Sequence, residues 1–223
     1  MIDGVTNIMQ NPDIAKVNAH NIAALLLDIH AVTLNVTKPF RYTSGILSPI
    51  YCDNRLIISY PEKRERIIHA FLTQIQSHNL KFDVVAGTAT AGIPHAAWIA
   101  DRLKKPMVYV RSAPKTHGKK NQIEGKIQPG QVALVVEDLI STGGSAINAV
   151  YALRENSAIV HDCLAIFTYE MKNAQDAFKK AQVQCHTLCN FSTLIDVATK
   201  NGQLSKEERI KALQWNLDPE HWS

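Results

Sequence analysis

Apolar residues along this chain fall into two alternating rhythms. Ile14, Val17, Ala24, Leu25 and Ile29 recur at helical spacing and predict an amphipathic helix over 13–31. A second helix is predicted over 60–78, with Pro61 near its first turn and its charges at the front. Beyond it the pattern changes to short apolar runs that predict strands at 82–87, 106–110, 131–136, 159–167 and 183–189. Between and after them, helices are predicted at 93–103, 144–156, 174–181, 191–202 and 205–216. Val84-Val85 and Ala133-Leu134-Val135-Val136 are apolar without alternation, as in strands buried on both faces. Strand–helix alternation of this kind predicts an α/β fold, a mostly parallel central sheet flanked by helices. Ligands of such sheets sit at the carboxyl ends of the strands, beside a switch in strand order. The chemistry is therefore expected in the segments that follow strands.

Three such segments stand out. After the 131–136 strand come Glu137, Asp138, Leu139 and Ile140, then Ser141-Thr142-Gly143-Gly144-Ser145 at the start of a helix. The two glycines let backbone approach a ligand, and the helix start offers free N–H groups and a positive dipole end. A phosphate suits that loop, and a plain turn with a helix cap is the alternative. It is neither a Walker A loop nor a G-x-G-x-x-G fingerprint. A second glycine loop, "GTATAG" (87–92), follows the 82–87 strand and carries Thr88 and Ala89. Two such loops on one sheet point to a ligand with two anionic groups. The third segment, "RSAPKTHGKKNQIEGK" (111–126), is polar and cationic with no apolar pattern to hold it down. Its length suits either a lid over an anion or a solvated surface loop. Glu137 and Asp138 can accept hydrogen bonds from vicinal ribose hydroxyls, with a 5′-phosphate in the loop beyond, and can face a cationic sugar transition state. A helix cap or a partner for a lone arginine is the alternative for the acid pair.

Composition narrows the classes. With 223 residues, one α/β domain or two small ones is expected. A chain of this size buries roughly 70–75% of its unfolded surface and needs no disulfide or metal staple. The net charge of +4 is too mild to call for nucleic acid. Cys52, Cys163, Cys185 and Cys189 form no disulfide framework, and Cys185-His186-Cys189 lacks a second ligand pair, so a structural role is expected. No signal peptide or membrane span is read in the sequence, and a cytoplasmic location is the default. His20, His30, His69, His78 and His161 and the tryptophans Trp98, Trp215 and Trp222 are read as packing or surface groups.

"VALVVEDLISTGGSA" (132–146) resembles the phosphoribosyl pyrophosphate (PRPP) signature of type I phosphoribosyltransferases, and "GTATAG" resembles their pyrophosphate loop. "FRYTSGILSPIYCDNR" (40–55) is similar to the hood segment of the orotate phosphoribosyltransferases, and "YVRSAPKTHGKKNQIEG" (109–125) to their catalytic loop. The resemblance runs from about Asn18 to Cys189. It implies one phosphoribosyltransferase domain over 1–223, with residues up to about 60 as a hood. The implied activity transfers ribose 5-phosphate from PRPP to orotate N1 in pyrimidine (UMP) synthesis, with Mg2+ held mainly through PRPP. A homodimer is implied, with the 111–125 lid shared between subunits.

The resemblance also implies roles by position. PRPP would be held by the run Glu137, Asp138, Leu139, Ile140, Ser141, Thr142, Gly143, Gly144 and Ser145, with Thr88 and Ala89 at the pyrophosphate. Arg111, Lys115, His117 and Lys119 would neutralise the pyrophosphate, with Lys115, His117, Arg111 and Asp138 as the catalytic set. The chain departs from the pattern at Ser112 and Thr43, where many or some members carry lysine, and in "FTYEMKNA" (167–174), where some carry an orotate-binding arginine. The candidates left for orotate are Ser141, Arg55, and the backbone N–H groups of Ser44 and Gly45. Three rivals stand beside this reading: a purine phosphoribosyltransferase, a PRPP-sensing regulator of the same fold, and a dehydrogenase, whose glycine fingerprint is missing.

Overall fold

Neighbouring residues of each central strand pack into different cores. Val84 and Ala86 of β5 (Val84–Thr88) join one apolar cluster and Val85 the other. In β8 (Ala133–Ile140), Ala133 and Val135 face one side and Leu134 and Val136 the other. Cys163 and Ala165 against Leu164 and Ile166 repeat this in β9 (Asp162–Thr168). Unbroken apolar runs are what a two-sided core requires, because the pleat sends successive side chains to opposite faces.

The computed structural model describes residues 12–42, 45–113 and 122–222, without the side chains of 12–18. Helix α1 (Pro12–Asp28) leads into four short strands, β1 (Val32–Leu34), β2 (Phe40–Arg41), β3 (Leu47–Ser48) and β4 (Ile50–Cys52). These pair as two antiparallel ribbons, β1 with β4 and β2 with β3. A 3-10 turn (Asn54–Ser59) connects them to α2 (Pro61–Ser77). After β5 come α3 (Gly92–Leu103), β6 (Met107–Val110) and β7 (Ile123–Glu124); after β8 come α4 (Gly144–Glu155), β9, α5 (Lys172–Ala181) and β10 (Gln184–Asn190). Helices α6 (Phe191–Lys200) and α7 (Lys206–Leu217) close the described chain. The large sheet has the order β10-β9-β8-β5-β6-β7, parallel except for β7. Helices α1, α2, α3, α6 and α7 cover one face, and α4 and α5 the other.

The expected fold class holds, and the differences lie in strand ends. Strand β8 runs to Ile140 rather than stopping at Val136, so Glu137 and Asp138 are strand residues. Their neighbours Leu139 and Ile140 pair with Phe167 and Thr168, and this ladder overrides the polar look of the acids. Nor is 111–126 free of apolar anchoring: Ile123 is buried and pairs with Val110. Among the described residues no helix is long and apolar enough to cross a membrane. All four cysteines are free thiols. Trp215 is fully buried, and Glu208 completes a capping box with Ser205.

Two substitutions separate core from cap. Phe71 is fully buried in α2, so Phe71→Ala should cost about 3–5 kcal/mol. Ser205→Ala, which removes one cap from α7, should cost about 1 kcal/mol. Urea unfolding followed by far-ultraviolet circular dichroism checks both, and equal losses would contradict the assignment.

Candidate active site

The chain leaves β5 for β6 on one side, and later adds β8, β9 and β10 on the other. The crevice between the carboxyl ends of β5 and β8 is therefore the switch point of the sheet. It is flanked by "GTATAG" from β5, and by the acids and hydroxyl–glycine loop from β8.

These two strands touch closely there. Thr88 Oγ1 donates to the Val136 carbonyl at 3.1 Å. A Cβ on Gly92 would lie 2.4 Å from that carbonyl oxygen and 2.5 Å from Thr88 Oγ1, so only glycine lets α3 start here. Ala89 N–H donates to the Val110 carbonyl at 2.8 Å, fixing the loop to β6 as well. On β8, Gly143 has φ +79°, a left-handed conformation natural to glycine, and turns the chain into α4. Ser141 is half-buried, while Thr142, Gly144 and Ser145 are exposed around the helix start. No side chain caps α4, so its first N–H groups remain available to a ligand.

The acid pair lies between the loops. Glu137 is only 6% exposed. Its Oε1 accepts from Asp138 N–H at 3.0 Å. Burial pushes the Glu137 carboxyl above the usual carboxylate range, and the Asp138 charge beside it pushes the same way. Burial also raises Asp138. Asn54 holds the strand from the hood side, its Nδ2 donating to the Asp138 carbonyl at 2.8 Å.

The root of the cationic segment is tied down. Arg111 N–H donates to the Gln122 carbonyl at 2.9 Å, and Gln122 Nε2 donates back to the Arg111 carbonyl at 2.6 Å. Asn148 of α4 donates to the Ser112 carbonyl at 3.2 Å. Arg111, Thr88, Ala89, Ser145 and Asn148 line one cavity of about 210 Å3. Its guanidinium lies 3.7 Å from the Glu124 carboxylate. Lys115, His117 and Lys119 lie outside the described residues, as does Ser44 of the hood.

On the other side of the phosphate loop is a pocket of about 350 Å3. Tyr42 and Ile46 of the hood, Ser141 and Thr142, the segment after β9 and the C-terminal residues from Trp215 to Glu220 line it. Two of the expected orotate contacts are already engaged elsewhere. Arg55 makes a two-pronged pair with Asp53, at 2.6 and 2.9 Å. Gly45 N–H donates to the Tyr42 carbonyl within the β2–β3 turn. Ser141 is the expected contact that faces the pocket.

Sequence reasoning missed Asn54, Asn148 and His95. The first two reach the site from elements distant in sequence, Asn54 from within the hood segment and Asn148 from α4. His95, in the first turn of α3, is fully buried with neither ring nitrogen hydrogen-bonded within the described protein. Burial pushes its imidazole down to about 4, so it is neutral at physiological pH.

Residues 59–192 match the phosphoribosyl transferase domain. Orotate phosphoribosyltransferase of Coxiella burnetii is 64% identical over 204 residues, covering 92% of this chain and 98% of that protein. The Halalkalibacterium halodurans enzyme of the same name is 53% identical, over 89% of this chain and 94% of its own. Among solved structures, orotate phosphoribosyltransferase from Aeropyrum pernix superposes with a TM-score of 0.71 at 28% identity, covering 82% of this chain and 99% of its own. The matched segment holds both glycine loops and the acid pair, and the chain belongs to the orotate phosphoribosyltransferase family.

Proposed function

We propose that this site joins orotate N1 to C1 of PRPP, with release of pyrophosphate and formation of orotidine 5′-monophosphate. One observation carries the reading: a carboxyl pair, Glu137 buried and Asp138 half-buried, stands between two glycine-opened loops on adjacent strands. A molecule with a diol between two anionic ends matches that order of groups. The loop from Ser141 to Ser145 takes the 5′-phosphate through hydroxyls and the α4 amides. Glu137 and Asp138 accept from the ribose hydroxyls, and Leu139 and Ile140 carry the strand into the loop. Thr88 and Ala89 face the pyrophosphate beside Arg111, in the cavity they share.

The bond between C1 and the pyrophosphate oxygen breaks as the bond from N1 forms, and the electron pair leaves with pyrophosphate. Negative charge grows on that leaving group, so Arg111, Lys115, His117 and Lys119 act by neutralising it. No protein base is assigned to the N1 proton. Asp138, and Glu137 when ionised, favour positive charge developing on the ribose ring. Two adjacent carboxyls are too few for a protein cage, and among the described residues no group of three metal-ligating side chains forms. That set suits Mg2+ bound mainly through PRPP oxygens, where it would spread the pyrophosphate charge.

The same reading makes the protein a cytoplasmic homodimer of one-domain chains, with the hood in residues up to about 60 and the 111–125 lid shared between subunits. Tyr51, Leu56, Ile58 and Tyr60 support the dimer: four large apolar or aromatic side chains, 39–45% exposed, lie within ten residues of one another. The free thiols fit a reducing compartment.

Three outcomes test this. With PRPP and Mg2+ the protein should consume orotate absorbance, and Lys115→Ala should lower kcat roughly a hundredfold, about 3 kcal/mol, more than it weakens PRPP binding. Turnover of hypoxanthine or adenine in place of orotate would move the chain to the purine branch. Glu137 holds its proton in the folded state at pH values where the unfolded chain has released it. Stability should therefore fall as pH rises above the ordinary carboxylate value. Glu137→Gln should reduce that loss in thermal melts across pH while weakening PRPP binding. Ile58→Arg should shift the protein to a monomer in size-exclusion chromatography with light scattering; an unchanged dimer would remove this face from the interface.

A further inference from the structure

Among the expected orotate contacts, Arg55 pairs with Asp53 and Gly45 N–H with Tyr42, while Ser141 faces the pocket, so no cation is yet assigned to the orotate carboxylate. The pocket beyond Ser141 and Thr142 has one cation among its described lining residues, Lys172. Its size falls within the roughly 300–1,000 Å3 usual for small-molecule sites. Two acids also line it, Asp218 and Glu220, both from the C-terminal tail, and Asp218 is engaged by His221 at 2.9 Å.

Lys172 is badly placed for the stability of its own helix. It is the first residue of α5, where a cation meets the positive end of the helix dipole. The cap position is Met171, which offers no side-chain acceptor, and among the described residues no carboxylate pairs with the lysine. The loop that presents it is nevertheless firmly held. Glu170, before Met171, has a left-handed φ of +58°. Its carboxylate accepts from Ser192 N–H at 2.8 Å and Ser192 Oγ at 2.6 Å, and its N–H donates to Thr168 Oγ1 at 3.0 Å. Asn216 of α7 donates to the Tyr169 carbonyl on the same loop. Lys172 is exposed, but a strained, clamped loop places this cation at the edge of a cavity, as a ligand contact requires.

We propose that Lys172 binds the carboxylate of orotate in this pocket, and so sets the preference for a carboxylated pyrimidine over one without that group. The proposal rests on the orotate reading above. It does not alter the PRPP side, whose residues lie across the phosphate loop.

Steady-state kinetics of Lys172→Gln, with orotate and uracil as alternative acceptors, tests it. The variant should raise KM for orotate on the order of 10- to 100-fold, the size expected for one lost hydrogen bond to a charged group. KM for PRPP should stay within a factor of about two, and the orotate-to-uracil ratio of kcat/KM should fall. Lys172→Arg should restore most of the preference. The melting temperature of the glutamine variant should hold or rise, since an unpaired cation leaves the helix start. Unchanged KM for orotate in a variant of an orotate-active protein overturns the role of Lys172. Lack of orotate turnover by the unsubstituted protein overturns the orotate reading itself.

Discussion

Two carboxyl groups side by side at a buried strand end are a poor arrangement for a protein by itself. Burial opposes ionisation of both Glu137 and Asp138, and the Asp138 charge opposes that of Glu137 as well. The rest of the site surrounds that tension. The Asp138 N–H donates to the Glu137 carboxyl, Asn54 fixes the strand, and Thr88 ties the neighbouring loop to it. On the proposed reading, an acid pair that costs the protein stability becomes an asset where hydroxyl donors and a cationic ribose ring face it. The same constraint explains Gly92: with the second loop against the carbonyl of Val136, no side chain larger than hydrogen fits.

Much of this was legible from sequence because it is local. Unbroken apolar runs announced a two-sided sheet, and the glycines and hydroxyls after β5 and β8 announced the loops. The parts that were not legible depend on residues distant in sequence. Strand β8 continues through two acids only because Phe167 and Thr168 of β9 supply its ladder partners. Strand β7 is two residues long, and a single apolar residue, Ile123, gives periodicity nothing to work on. Asn148 meets the lid root across two elements, and Asn54 reaches Asp138 from 84 residues away. Arg55 shows the converse: a cation in a hood motif looks available until its neighbour Asp53 is seen to hold it.

The match to the phosphoribosyl transferase domain begins at residue 59 and ends at 192, whereas the pocket beyond Ser141 is built largely outside those limits. Tyr42 and Ile46 come from before it, and Trp215 to Glu220 from after it. Trp215 joins these outer pieces by donating to the Leu47 carbonyl of the hood at 2.9 Å, while Tyr42 lies 3.3 Å from Tyr169 through their hydroxyls. On the proposed reading, the shared domain carries the groups for phosphate, ribose and pyrophosphate, which do not depend on the base. The terminal segments and the loop after β9 build the pocket where a base would be chosen. Such a division lets one sheet serve several bases, since a new specificity needs changes only in segments that the sheet does not depend on for its strands.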